Sequence, residues 1–137
     1  MPSYFCPTWI TFPAIGDHSI GFISIAQNTI LPFELARVFW TYHTPPGVTR
    51  GRHAHYELEQ ILIAITGEIK IQTENRKGEK ELFILNSPEK GLYLPPHYWH
   101  TMEYSTHALQ LTLASADYTE ADYIRSYEVF KNGTDPE

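Results

Sequence analysis

The sequence predicts an all-β domain, a sandwich or a barrel, with one helix near its C-terminal end. Three observations predict it. Short apolar and β-branched segments recur along the 137 residues, and Gly and Pro clusters separate them. Only residues 119–133 carry helical spacing. No repeat, low-complexity tract or linker-like stretch divides the chain, so residues 1–137 are expected to form one domain.

The elements follow in order. "SIGFISIA" (19–26) is strand-like, with Phe22 and Ile25 among β-formers. "FELARVFWTYHT" (33–44) is aromatic and β-branched, and "TPPG" stops it. "EQILIAITGEIKIQTE" (59–74) predicts a hairpin: a buried apolar strand, a turn at Gly67, then an alternating strand. "NRKGEK" is a turn, "KELFILN" a strand and "SPEKG" a turn. "LYLPP", "TMEYST" and "ALQLTLAS" supply three more strands. In "TEADYIRSYEVFKNG" (119–133), Ala121, Ile124, Tyr127 and Val129 or Phe130 share a side. Thr119 is the expected cap and Gly133 the expected stop. Asp117 and Glu120 would complement the helix dipole.

Composition narrows the functions. A net charge of −6 argues against general nucleic-acid binding. No apolar run reaches membrane-spanning length, so no membrane partner is expected. The single cysteine, Cys6, forbids an intrachain disulfide. A cytoplasmic setting is the expectation.

"RGRHAHYELEQ" (50–60) carries the chemistry. In a strand, His53 and His55 point to the same face, because side chains alternate with period two. Glu59 shares that face if the strand continues, and His100 would come from another strand. Three readings stand side by side. Together the four form a metal site of three His and one Glu. Alternatively one His is a general base whose neighbours set its orientation and pKa. Otherwise all are satisfied polar groups on a strand. His18, His43 and His107 lack partner spacing, and His97 sits in a turn.

The spacing resembles the two motifs of the cupin superfamily, whose fold is a jelly-roll β-barrel. Gly47, His53, His55, Glu59 and Gly67 match the first motif. Gly91, Pro95 and His100 match part of the second, with Tyr104 in place of its closing Asn. A closer resemblance runs from about residue 16 to 131. "PFELARVFW", "RGRHAHYELEQILIAITGEIKI", "LNSPEKGLYLPPHYWHTM" and "LASADYTEADYIRSYEVF" resemble the WxcM-like sugar 3,4-ketoisomerases.

That resemblance implies an all-β cupin jelly-roll with a short C-terminal helix. It also implies an isomerase of a dTDP-linked keto sugar in deoxyamino-sugar biosynthesis. The keto group would move from C4 to C3 through an enediol, without a metal or other cofactor. His53 falls on the family's base and His55 also lies in its active site. Tyr93 or His100 would complete the catalytic set. A homodimer with nucleotide near its interface is implied too. For the diphosphate, Arg37, Arg50, Arg52 and Arg125 lie in or beside the matched stretches, and the guanidinium fork suits phosphate oxygens. Arg50 and Arg125 are the favoured partners, with Asn86 a candidate near the base.

The chain departs from the family at two positions. A tyrosine usually follows "RV", but here Phe39 does, which cannot donate or accept a proton. Where the family has "DxRG", this chain reads "GDHSIGF" and lacks the arginine. Two other readings stay open: a metal-dependent cupin using His53, His55, Glu59 and His100, and a nucleotide-sugar-binding module without catalysis.

Overall fold

Two five-stranded antiparallel sheets face each other in the computed structural model, which describes residues 4–133. The first sheet runs β1 (Thr8–Thr11), β9 (Lys90–Leu94), β6 (Gln60–Thr66), β11 (Leu109–Ala114), β4 (Arg37–Tyr42). The second runs β12 (Tyr123–Ile124), β5 (Thr49–His55), β10 (Trp99–Tyr104), β7 (Ile69–Glu74), β8 (Lys80–Leu85). A separate hairpin joins β2 (Ala14–Asp17) to β3 (Gly21–Ser24), and α1 (Tyr127–Asn132) follows β12. This is the jelly-roll arrangement, all-β with one short C-terminal helix. Among the described residues the two sheets are not joined into a closed ring of hydrogen bonds.

Alternation sorts the side chains into layers. Leu62, Ala64, Leu92 and Leu94 of the first sheet meet Ile69, Ile71, Phe83, Leu85 and Met102 of the second. The outer face of the first sheet carries Ile61, Ile63, Tyr93 and Leu113, covered by Phe12 and Leu31. The outer face of the second carries Ala54, which packs with Ile124 and Phe130.

The predicted 59–74 hairpin is not formed. β6 and β7 are consecutive, yet they lie in different sheets. Gly67 takes the chain across with φ at +75°, and a Cβ there would stand 2.7 Å from the Ala108 Cα. Both strands are apolar on their inner faces, so each buries more by joining its own sheet than by pairing with the other.

The helix expected within 119–133 is much shorter. Glu120–Asp122 is a single 3-10 turn, Tyr123–Ile124 is a strand, and only Tyr127–Asn132 is α-helical. Ser126, not Thr119, caps it, accepting a hydrogen bond from the Val129 N–H. Glu120 lies in the 3-10 turn rather than in α1, and its carboxylate binds Tyr118 and Arg125. The free edge of β5 decides the outcome: Tyr123 pairs with His55 and Ile124 with Ala54. Those sheet bonds, with burial of Ile124, override the 3.6-residue spacing.

Candidate active site

β5 and β10 build the site. His53 and His55 alternate with the outward-facing Ala54, so both rings face the interior. His100 pairs directly with His53 across the β10–β5 ladder. At that point the ladder shifts register, because Thr101 pairs with Gly51 and leaves Arg52 unpaired. Arg52 bulges out with φ at +61°. Gly51 lies so close to β10 that a Cβ would stand 2.8 Å from the His100 carbonyl oxygen. The bulge thus sets the two His-bearing strands against each other.

The three rings form a cluster. Centroids lie 4.6 Å apart for His53–His100 and 4.9 Å for His53–His55. Tyr123 covers the pair from β12, 4.9 Å from His53 and 4.5 Å from His55. His55 and His100 are 4% and 1% exposed. Burial lowers the pKa of all three, and their mutual repulsion, with Arg125 and Arg37 nearby, lowers that of His55 further, to about 3. Near neutral pH they are therefore uncharged imidazoles, able to accept a proton.

The cluster lines a cavity of about 230 Å³. Leu62, Gln60, Gln110 and Tyr104 form other parts of its wall. Tyr104 donates to the side-chain amide oxygen (Oε1) of Gln110 at 2.9 Å, and burial pushes its phenol up to about 12, so it stays protonated. Arg50 and Arg125 also line this cavity. Arg125 lies over the Tyr123 ring and is ion-paired with Glu120 at the surface. Phe39 contributes an aromatic ring to the wall, without a hydroxyl.

A larger cavity of about 460 Å³ adjoins it and shares His55 and Tyr123 as walls. Arg37 lines this second space, beside Phe33, Glu59 and Asp122. Arg37 thus lines this second cavity, whereas Arg50 and Arg125 line the first.

Four residues named from sequence lie away from the cluster. Tyr93 belongs to the outer face of its sheet, because on β9 it is Leu92 and Leu94 that face inward. Its hydroxyl donates to Glu59 at 2.6 Å. Glu59 precedes β6, where Gln60 takes the inward position, so the set of three His and one Glu does not assemble. Of those four, the ligand atoms of His53, His55 and His100 lie within 4.8 Å of one another. Arg52 is exposed on its bulge and Asn86 is exposed after β8, at the opposite edge of the sheet from β5 and β12. Neither lines the cavity that the histidines line.

Sequence reasoning passed over Tyr123, Gln60, Gln110 and Asp122. "EADYIR" was the available signal for two of them, but its helical spacing concealed the strand that aims Tyr123 at the histidines.

Comparisons with known proteins agree with this geometry. The family model "FdtA: WxcM-like, C-terminal" matches residues 6–135. The chain is 37% identical over 123 residues to a TDP-4-oxo-6-deoxy-α-D-glucose-3,4-oxoisomerase of Aneurinibacillus thermoaerophilus, covering 89% of this chain and 88% of that one. Among solved structures it resembles QdtA, a sugar 3,4-ketoisomerase of Thermoanaerobacterium thermosaccharolyticum in complex with TDP. The TM-score is 0.89 at 33% identity, covering 93% of each chain. A histidine-to-asparagine variant of QdtA, in complex with TDP-4-keto-6-deoxyglucose, matches with TM-score 0.89 at 32% identity over 94% of each chain.

Proposed function

Because this chain belongs to the WxcM-like FdtA family, we propose that it is a nucleotide-sugar 3,4-ketoisomerase of deoxysugar biosynthesis. It moves the keto group of a dTDP-4-keto-6-deoxyhexose from C4 to C3. One observation carries the reading: three uncharged imidazoles converge in a cavity that also holds two arginines. The proton on C3 is acidified by the adjacent carbonyl, and a neutral imidazole suits its removal. His53 is the base, taking the proton from C3 and returning it at C4 after the enediol. His55 and His100 flank it and bind the sugar. Arg50 and Arg125 hold the diphosphate. The lone Cys6, free and exposed, fits a reducing cytoplasmic setting.

The test is incubation with TDP-4-keto-6-deoxyglucose in heavy water. Formation of a 3-keto product, unaffected by chelator, is expected. Turnover that needs a divalent ion would establish the metal-dependent reading instead. TDP binding with neither product nor exchange at C3 would leave a binding module. Arg50→Ala and Arg125→Ala should each weaken TDP by roughly tenfold or more, the usual size of a charge-assisted hydrogen bond. Unchanged affinity in both would remove them from the phosphate site.

The partner is a second copy of the chain. Ile15, Ile20, Phe22 and Ile23 of the β2–β3 hairpin are 53–81% exposed, and among the described residues the hairpin pairs with no other strand. A lone two-stranded hairpin is marginal in water. β4 is an edge strand with Val38, Trp40 and Tyr42 exposed on its outer face, and unpaired edges accept strands. A dimer formed by these apolar surfaces is expected by light scattering. The double variant Phe22→Lys, Ile23→Lys should run as a monomer, and a monomeric parent protein would refute the arrangement.

A further inference from the structure

Glu120 holds a place that the reading above leaves without a role. It lies in the 3-10 turn Glu120–Asp122, five residues before Arg125. Its two carboxylate oxygens grip one side of the Arg125 guanidinium. Oε1 accepts from Nε, and Oε2 accepts from Nη2 at 3.0 Å. The Tyr118 hydroxyl donates to Oε2 at 2.5 Å and fixes the carboxylate in turn. The guanidinium carbon also lies over the Tyr123 ring, 4.3 Å from its centre. Arg125 lines the cavity of the histidines, whereas Glu120 lines neither of the two cavities described above. The carboxylate therefore reaches the substrate only through the arginine.

We propose that Glu120 is a positioning residue for the diphosphate: it fixes the Arg125 guanidinium so that the unused fork serves the phosphate, and it offsets the charge that this arginine brings beside His53. This rests on the ketoisomerase reading and deepens it.

A guanidinium carries five N–H groups. The pair with Glu120 takes the Nε–H and one N–H of Nη2. The remaining fork, Nη1 with the second N–H of Nη2, has the same planar geometry and suits two phosphate oxygens. A free arginine side chain loses rotamer freedom when it grips a ligand, and one already held loses less. Stability alone explains the pair poorly. The side chains of Arg125 and Glu120 are 52% and 56% exposed, and exposed ion pairs add little to the fold.

The second effect is electrostatic. Arg125 disfavours a protonated His53, and Glu120 acts in the opposite sense. The bonds to Arg125 and Tyr118 hold the Glu120 carboxyl down to about 2, so it is charged at every pH near neutrality. The other titratable groups against His53 are His55 on its own strand, His100 on β10 and Tyr123 on β12. Arg50 and Tyr104 line the same cavity. Burial leaves His55 and His100 uncharged. An Arg125 without its carboxylate would therefore weaken the base.

The experiment uses the intact protein and reads TDP affinity, thermal stability and the acid limb of kcat/KM. Glu120→Gln keeps the size and one acceptor oxygen but removes the charge. It should weaken TDP by about three- to tenfold, the usual cost of ordering one long side chain. It should also move the acid limb to lower pH, while thermal stability stays near the parent's. Tyr118→Phe, which releases the carboxylate, should weaken TDP in the same direction and keeps the test decisive if Glu120→Gln folds poorly. In an Arg125→Ala background, Glu120→Gln should weaken TDP no further, because both changes act through one guanidinium. Parent-like affinity in both single variants, an acid limb that stays in place, or an equal loss with Arg125 absent would each overturn the proposal. Tighter TDP binding in Glu120→Gln would overturn it too, by making the carboxylate a competitor of the phosphate. Failure of the ketoisomerase reading looks different, since the parent protein itself would then bind no TDP or form no 3-keto product.

Discussion

His53→Asn is expected to lower turnover by about 10²–10⁴-fold while TDP affinity stays near the parent's. Those factors are the usual size of general-base loss. Asparagine approximates the ring's size and keeps a hydrogen-bonding amide, but it takes no proton near neutral pH. The diphosphate contacts come from Arg50 and Arg125, so binding does not depend on the ring. Normal turnover in this variant, with TDP still bound, would refute the assignment of the base. The pH profile supplies an independent reading. Burial holds the His53 pKa below its ordinary 6.5. The base then remains neutral in mildly acidic solution, and the acid limb of kcat/KM should lie below pH 6.5. A limb above 6.5 would mean that the titrating base sits in a more anionic environment than His53 does.

Phe130→Ala should destabilise the protein by about 3–5 kcal/mol, the range for truncating a buried aromatic side chain. Phe130 is fully buried, packed with Ala54 and Ile124 and beside Trp99. The Arg76 guanidinium lies over its ring and donates to its carbonyl at 2.7 Å. A helix of six residues has no stability of its own, so this one ring fixes α1 to the sheet. Urea unfolding measures the loss, and the exposed Val129→Ala on the same helix should be close to neutral. Activity should fall as well, because β12 lies between α1 and the histidines. A Phe130→Ala protein as stable as the parent would show that α1 adds nothing to the fold.

Much of the site was legible because it depends on short-range geometry. His-x-His in a strand must place both rings on one side, and it does. His100 was legible only through the resemblance, since its pairing with His53 joins residues far apart in sequence. Glu59 and Tyr93 were misplaced for a common reason. Alternation identifies which residues share a face, but the strand boundary determines which face that is. β6 begins at Gln60 and turns Glu59 outward. On β9, Leu92 and Leu94 claim the interior. The helix was overextended because spacing within 119–131 says nothing about the unpaired edge of β5. The 59–74 segment was legible as two strands and a turn, but Gly67 is equally suited to a hairpin or to a crossing between sheets. Only the packing of both apolar inner faces decides.

The crossing at Gly67 also bears on how the chain reaches this state. From β4 to β11, each strand is followed by one in the opposite sheet, except at the β7–β8 turn. Few native contacts can therefore form between neighbours in sequence. The entropy of closing long loops must be met before the pairings that reward it. Topologies of this kind fold over milliseconds to seconds rather than microseconds. The histidines on β5 and β10, and Tyr123 on β12, come together only when segments some 45 to 70 residues apart have met. Proton-transfer chemistry is thus confined to molecules whose folding is essentially complete.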